Sequence, residues 1–164
     1  MVGDGSGVPR VIEGFTRESE DAVVLHLHCG HDRHVRHRPP MEVHEWATDD
    51  DRCRERVGQS IECLRCTQRL LPEGAEAYRR TPSFDEHSTP AGLRRDHSTK
   101  QGVWGRVIVE EGELRLEFGP PVSATVDGRP GAPIVIPPAV VHYVRLTGRV
   151  RFHVEFLRCS PAPG

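Results

Sequence analysis

Apolar positions along this chain fall into short alternating runs punctuated by turn residues, a pattern of strands more than of helices. Residues 11–15 and 22–28 read as two strands joined by a polar turn around Glu18 to Asp21. The second runs straight into Cys29-Gly30, and His37-Arg38-Pro39-Pro40 ends regular structure after it. Thr48 ahead of Asp49, Asp50 and Asp51 is an N-cap signal with an acidic first turn, so a short helix is predicted over 49–57, closed by Gly58. Ile61-Glu62-Cys63 then forms a strand leading into Cys66. Further on, residues 103–110 and 113–118 flank Glu111-Gly112, which reads as a tight hairpin turn. Four more strands are predicted at 122–126, 134–136, 141–146 and 150–157, separated by Gly119-Pro120-Pro121, Asp127-Gly128 and Gly148. Short strands at such regular spacing predict a β-sandwich or barrel.

Composition sharpens this into two modules. The chain has 164 residues, enough for one medium domain or two small ones. Six of its ten histidines lie between positions 26 and 44, so the chemistry changes along the chain. Leu70-Leu71-Pro72-Glu73-Gly74 is the boundary, giving a module over 1–69 and a second over 70–160, with the Gly-rich residues 1–9 expected to be disordered. The formal net charge of -2 gives no electrostatic case for nucleic acid or an anionic membrane, and the Arg33/Arg36/Arg38 and Arg94/Arg95 clusters read as solvated faces. No apolar run reaches the length of a membrane span and no secretory pattern opens the chain, so a cytoplasmic protein is expected.

The soft ligands are concentrated in the first module. Cys29-Gly30-His31, with His34 behind it, is answered by Cys63-Leu64-Arg65-Cys66, which is ligand-like spacing for a four-coordinate zinc site. Either His31 or His34 completes the set; the one-residue spacer after Cys29 favours His31. A module with so few large apolar side chains needs a staple, so the zinc is expected to be structural, with every ligand from protein. Cys53 and Cys159 have no partner spacing and read as incidental, and five cysteines suit reduced thiols better than a disulfide framework.

In the second module His97 precedes the predicted hairpin, and His142 shares a strand face with Val144 and Leu146. In the last strand Val150, Phe152, Val154 and Phe156 form one face, while Arg151, His153 and Glu155 form the other. On alternation alone Glu155 belongs to the solvent side.

A string of motifs runs through this module: Leu71-Pro72-Glu73-Gly74, Arg79-Arg80-Thr81-Pro82-Ser83-Phe84, Arg95-Asp96-His97-Ser98-Thr99-Lys100, Gly102-Val103-Trp104-Gly105, Ile136-Pro137-Pro138, His142 and Val154-Glu155-Phe156. In order and spacing it resembles the TehB/YeaR-type tellurite-resistance domain. The resemblance implies a fold class that is mainly β, a cupin (double-stranded β-helix, jelly-roll barrel) preceded by the small zinc-stapled β-rich module. It also implies a barrel metal, Zn or Fe(II), held by His97, His142 and Glu155, with Glu155 standing in for a carboxylate missing from the usual first cupin motif. That set requires the Arg151/His153/Glu155 face to look into the barrel and the phenylalanines to face outward, where they could support a homodimer. Arg95, Lys100 and Trp104, close to His97, are the candidate substrate-binding residues; no catalytic residue is assigned. The first module, with Gly14-Phe15, the Cys-Gly-His turn, His34-Val35-Arg36-His37-Arg38-Pro39-Pro40, Trp46, Gly58 and the Cys-x-x-Cys pair, resembles a small uncharacterised bacterial domain.

Two functions follow as expectations. One is a metal-dependent cupin enzyme, oxygenase- or hydrolase-like, acting on a small anionic substrate. The other is a non-catalytic stress protein that binds a metal or small oxyanion, its zinc module mediating partner contacts. Methyl transfer is not expected, because no Gly-rich cofactor loop follows a strand.

Overall fold

In the computed structural model, which describes residues 7–160, strand β1 (Val8–Ser19) turns at Glu20-Asp21 into β2 (Ala22–Leu27). That is the turn the polar run predicted. A third strand, β3 (Asp32–Arg36), continues the meander beyond the Cys-Gly-His turn and was not expected from its polar sequence. Helix α1 (Asp50–Arg56) starts one residue later than predicted: Asp49 is the N-cap, its carboxylate accepting from the backbone N–H groups of Asp51 and Arg52. Strand β4 (Ser60–Cys63) then pairs with the start of β1, and the single turn α2 (Leu64–Thr67) carries Cys66. Strand order in this sheet is β3-β2-β1-β4. Of the residues expected to be disordered, 1–6 lie outside the described chain, whereas Val8 and Pro9 are paired with Cys63 and Glu62.

The second sheet is built on two long strands, β7 (Trp104–Phe118) and β10 (His142–Arg158), flanked by β5 (Glu76–Arg80), β6 (Phe84–Asp85), β8 (Thr125–Gly128) and β9 (Ile134–Ile136). The hairpin expected at Glu111-Gly112 is therefore not a turn, and Gly148 does not end a strand. Both sit inside continuous strands at register shifts, where Leu146 pairs with Leu114 but Val150 pairs with Gly112. Glycine is needed there. Gly112 has φ of +74°, and a Cβ on it would lie 1.9 Å from the Arg149 carbonyl oxygen. The bulge also switches the buried parity of β7, from Val107 and Val109 to Leu114, Leu116 and Phe118. Beyond it the strands take different neighbours: β9 and β5 at one end, β8 at the other, which curls the sheet.

The fold class is thus mainly β, with curled antiparallel sheets and a Cys/His cluster in the N-terminal part. Phe152 is fully buried and packs on Phe84 at 5.8 Å between ring centroids, while Val154 and Phe156 line an internal cavity. This corrects the expectation of an outward phenylalanine face and removes the basis for a homodimer through it. The buried side chains of both halves form one continuous cluster, from Val8 and Leu27 through Trp104 to Phe152. No helix among the described residues is long and apolar enough to cross a membrane.

Gly112→Ala is expected to destabilise the protein by at least about 2 kcal/mol, because it combines a positive φ with a backbone clash. A urea unfolding curve checks it; a midpoint within error of wild type would contradict the role given to this bulge.

Candidate functional site

Two polar sites occupy the interior, and the first lies where the two sheets meet. The turn after β2 brings Cys29 and His31 back toward the end of β4, where Cys63 stands at the N-cap of the α2 turn and Cys66 within it. Gly30 permits this at φ +98°, and it leaves no room for a side chain because Cys159 and Pro72 pack against it. All four residues are buried, and their ligand atoms lie within 4.8 Å of one another. His31 Nδ1 is 3.5 Å from Cys29 Sγ, 3.3 Å from Cys63 Sγ and 3.6 Å from Cys66 Sγ, and the Cys29 and Cys63 sulfurs are 4.0 Å apart. A tetrahedral ion with bonds of ~2.3 Å to sulfur and ~2.05 Å to nitrogen spaces its ligands by about 3.8 Å and 3.6 Å. The cluster therefore has the donors and the dimensions to hold a metal ion.

Its surroundings orient the ligands. His31 Nε2 donates to the Leu70 carbonyl at 2.8 Å, which leaves Nδ1 as the lone pair facing the sulfurs. Burial alone would lower the His31 pKa, but Cys29 and Cys63 beside it prevail and raise it to about 9. Cys29 and Cys66 pull the Cys63 thiol well below its ordinary range, whereas Cys29 and Cys63, together with burial, push Cys66 up. A divalent cation bound there would replace the protons these groups otherwise share. The other early histidines lie apart: His26 pairs with Asp32 at 2.8 Å, His28 with Glu13, and the half-exposed His34 with Glu18 at 3.2 Å. Of the two alternatives, His31 is the one brought to the cysteines.

Arg10 was not anticipated. It is 2 % exposed, on the β1 face that also carries Val8 and Ile12. Its Nε donates to Cys66 Sγ at 3.3 Å, one terminal nitrogen to the Pro138 carbonyl at 2.7 Å and the other to Gln101 Oε1 at 3.4 Å. The available signal was its place in the alternating run Val8-Pro9-Arg10-Val11-Ile12, where an arginine falls on a core-facing position. Three thiolates around a dication keep one net negative charge, and a buried guanidinium needs such a partner.

The second site is the cavity of about 330 Å³ inside the curled sheet, walled by Leu93, Val107, Leu116, Ile136, Val144 and Val154. His97 and His142 are brought together at its edge. Each donates its backbone N–H to the other's carbonyl, at 3.0 and 2.9 Å, and their rings are 4.2 Å apart between centroids. Each ring is also fixed in tautomer. His97 Nδ1 donates to the Arg95 carbonyl at 2.9 Å and His142 Nδ1 to the Val140 carbonyl at 2.8 Å, so both ε nitrogens carry lone pairs. His142 is 2 % exposed, and burial, against the Val140 bond and with His97 beside it, lowers its pKa to about 4.

The remaining expected site residues divide. Lys100 lines the cavity, together with Arg79. Glu155 does not: it faces the other side of β10 and accepts from Arg106 Nε at 2.9 Å. That corrects the expected ligand set, and the reason is strand alternation, since Val154 and Phe156 already take the inward positions. Trp104 is fully buried below the cavity and donates its indole N–H to the Cys29 carbonyl at 2.7 Å, which makes it a link to the Cys/His cluster rather than a substrate contact. The exposed Arg95 side chain does not line the cavity; only its carbonyl contributes, by holding His97. Cys53, buried in α1, and Cys159 stand outside the cluster.

Residues 79–154 match the family model of the TehB-like domain, and residues 13–70 match that of a family described as a protein of unknown function (DUF3565). Among solved structures, TehB from Haemophilus influenzae is similar at 21% identity with a TM-score of 0.49, over 53% of this chain and 32% of that one. The chain thus spans about a third of the length of that protein. A protein from E. coli strain K12 is similar at 21% identity with a TM-score of 0.51, over 56% of this chain and 98% of that one. At this identity the likeness is one of fold. No curated protein matches the chain.

The depressed His142 pKa has a signed consequence. The unfolded chain takes up a proton near 6.5 and the folded protein refuses it until about 4, so this contribution is constant above pH 6.5 and is lost as pH falls from 6.5 to 4. The gap caps the loss at about 3 kcal/mol. Urea midpoints of wild type and His142→Gln, compared over that range, should converge on acidification; parallel curves would contradict a buried neutral His142.

Proposed function

We propose that this protein is a zinc-stapled, cupin-like binding protein that takes a small anionic ligand between His97 and His142, in the tellurite, oxyanion or reactive-species stress setting of the family its second half resembles. The observation that carries this reading is the pair of ε-nitrogen lone pairs at the edge of a cavity with aliphatic walls. Lone pairs repel a bare oxyanion, so their complement is a cation or a hydrogen-bond donor. Lys100 and Arg79 at the same cavity supply the opposite preference and attract an anion. A metal with its own bound oxyanion, or a small acid that keeps an O–H donor, satisfies both.

The zinc belongs to Cys29, His31, Cys63 and Cys66, where three thiolates and an imidazole fill a tetrahedron and leave no open position. It cross-links the first module, proposed as residues 1–69, to which the cupin-like domain over 70–160 is joined. Zn or Fe(II) in the barrel would be held by His97 and His142. Such an ion would supply Lewis acidity toward a bound oxygen. The lining residues include no carboxylate, so the two-histidine, one-carboxylate arrangement of oxygen-activating iron is incomplete. This supports binding ahead of catalysis. The second reading, a metal-dependent enzyme, is favoured by the open side that two imidazoles leave on an ion. The absence of any disulfide among the described cysteines accords with a reducing, cytoplasmic setting.

Metal analysis of zinc-loaded protein tests the reading. Two ions per chain are expected, one removed by mild chelation without unfolding and absent from His142→Ala, the other retained until the fold is lost. A single ion, together with no heat of binding for potassium tellurite in calorimetry, would sink the proposed pocket function and leave only the staple.

A further inference from the structure

The two sites are joined by a closed circuit of hydrogen bonds. From Cys66 it passes through Arg10 to the Pro138 carbonyl, at 3.3 and 2.7 Å. The next residue, Ala139, donates its N–H to Thr99 Oγ1 at 3.3 Å, and that hydroxyl donates to the Val103 carbonyl at 2.7 Å. Trp104 then returns to Cys29 at 2.7 Å, with its ring edge-on to His31 at 5.4 Å. The Arg10 contact to Gln101 braces the circuit across its middle. The segments it runs through, 97–104 and 136–142, are those that carry His97, Lys100 and His142.

This circuit also holds strain. Ala139 has φ of +56°, a left-handed conformation that costs a residue with a Cβ about 1–2 kcal/mol and persists only where its surroundings impose it. Its neighbours in the chain are Pro138, whose carbonyl Arg10 holds, and Val140, whose carbonyl fixes the His142 tautomer. Arg10 bonds Cys66 Sγ and the Pro138 carbonyl at once, so the position of Cys66 in the centre and that of the segment ahead of His142 are tied through one buried side chain.

We infer that the Cys/His centre is a control site for the pocket: a thiophilic divalent cation bound there holds Arg10 in place, and Arg10, as a positioning residue, sets the backbone that presents His142 beside His97. The inference rests on the centre holding a metal. It goes beyond the proposed function because it makes pocket geometry depend on occupancy of a site whose first reading is only structural. The linkage is reciprocal, so a ligand that favours the ordered pocket also tightens metal at the centre.

The test uses the full-length, zinc-loaded protein and the imidazole nitrogen signals of its histidines in NMR. Arg10→Met leaves all four ligands intact. It should still bind zinc, with retention weakened about 10- to 100-fold as for loss of an outer partner of a metal ligand. The His97 and His142 ring signals should move, while those of His34 and His153, outside the circuit, stay in place. Trp104→Phe, which keeps the packing and cuts the other arm, should shift the same two rings and serves as the second variant if Arg10→Met does not fold. His97 and His142 signals unmoved in a folded, zinc-bound variant would overturn the coupling while leaving the zinc site standing. Protein that binds no zinc at all would overturn both.

Discussion

A guanidinium cannot be withdrawn from water without an anion and a full set of acceptors, and Arg10 is almost entirely withdrawn. Its three partners come from three parts of the chain: a cysteine of the α2 turn, the loop ahead of β7 and the proline segment ahead of β10. Much of the architecture follows from satisfying that one group. The N-terminal sheet docks where it can deliver the arginine, and the strands of the second sheet begin where its carbonyl and amide acceptors lie. Leaving the charge unpartnered would cost about 3–5 kcal/mol, a large share of the stability of a domain this size.

The Cys/His centre and the pocket differ in the currency of their chemistry. The first gathers three cysteine sulfurs and an imidazole, all of them buried. The second sets two imidazoles against aliphatic walls and is open to a guest. One arginine and one indole lie between them, so the packing of the cluster and that of the cavity share the same two side chains. The match of residues 79–154 to the TehB-like domain concerns the second site, and that of residues 13–70 to the other family concerns the first. The circuit that joins them crosses the boundary between the two.

What the sequence revealed of this arrangement was uneven for physical reasons. The four soft ligands were legible because cysteine and histidine spacing is a local signal, and His97 and His142 stood out as polar residues in an apolar texture. The long strands were not, because Gly112 and Gly148 serve bulges and turns equally well, and only the pairing of Val150 with Gly112 tells them apart. Glu155 follows the alternation of its own strand and not the pattern the family resemblance implies, since Val154 and Phe156 take the inward positions. Arg10 escaped because its partners are distant in sequence: a buried arginine is visible only when the acceptors that justify it are seen, and the farthest lies 128 residues away.

That separation also orders events during synthesis. Cys29, His31, Cys63 and Cys66 are all synthesised before the chain reaches Pro138, so the cluster can assemble while half the second sheet does not yet exist. The arginine beside it must then wait, hydrated, for acceptors made later. The long-range pairing of β7 with β10 is the slow, high-separation step. A centre already in place gives those strands a fixed wall to assemble against, so the short-range cluster becomes the template on which the late, distant contacts register.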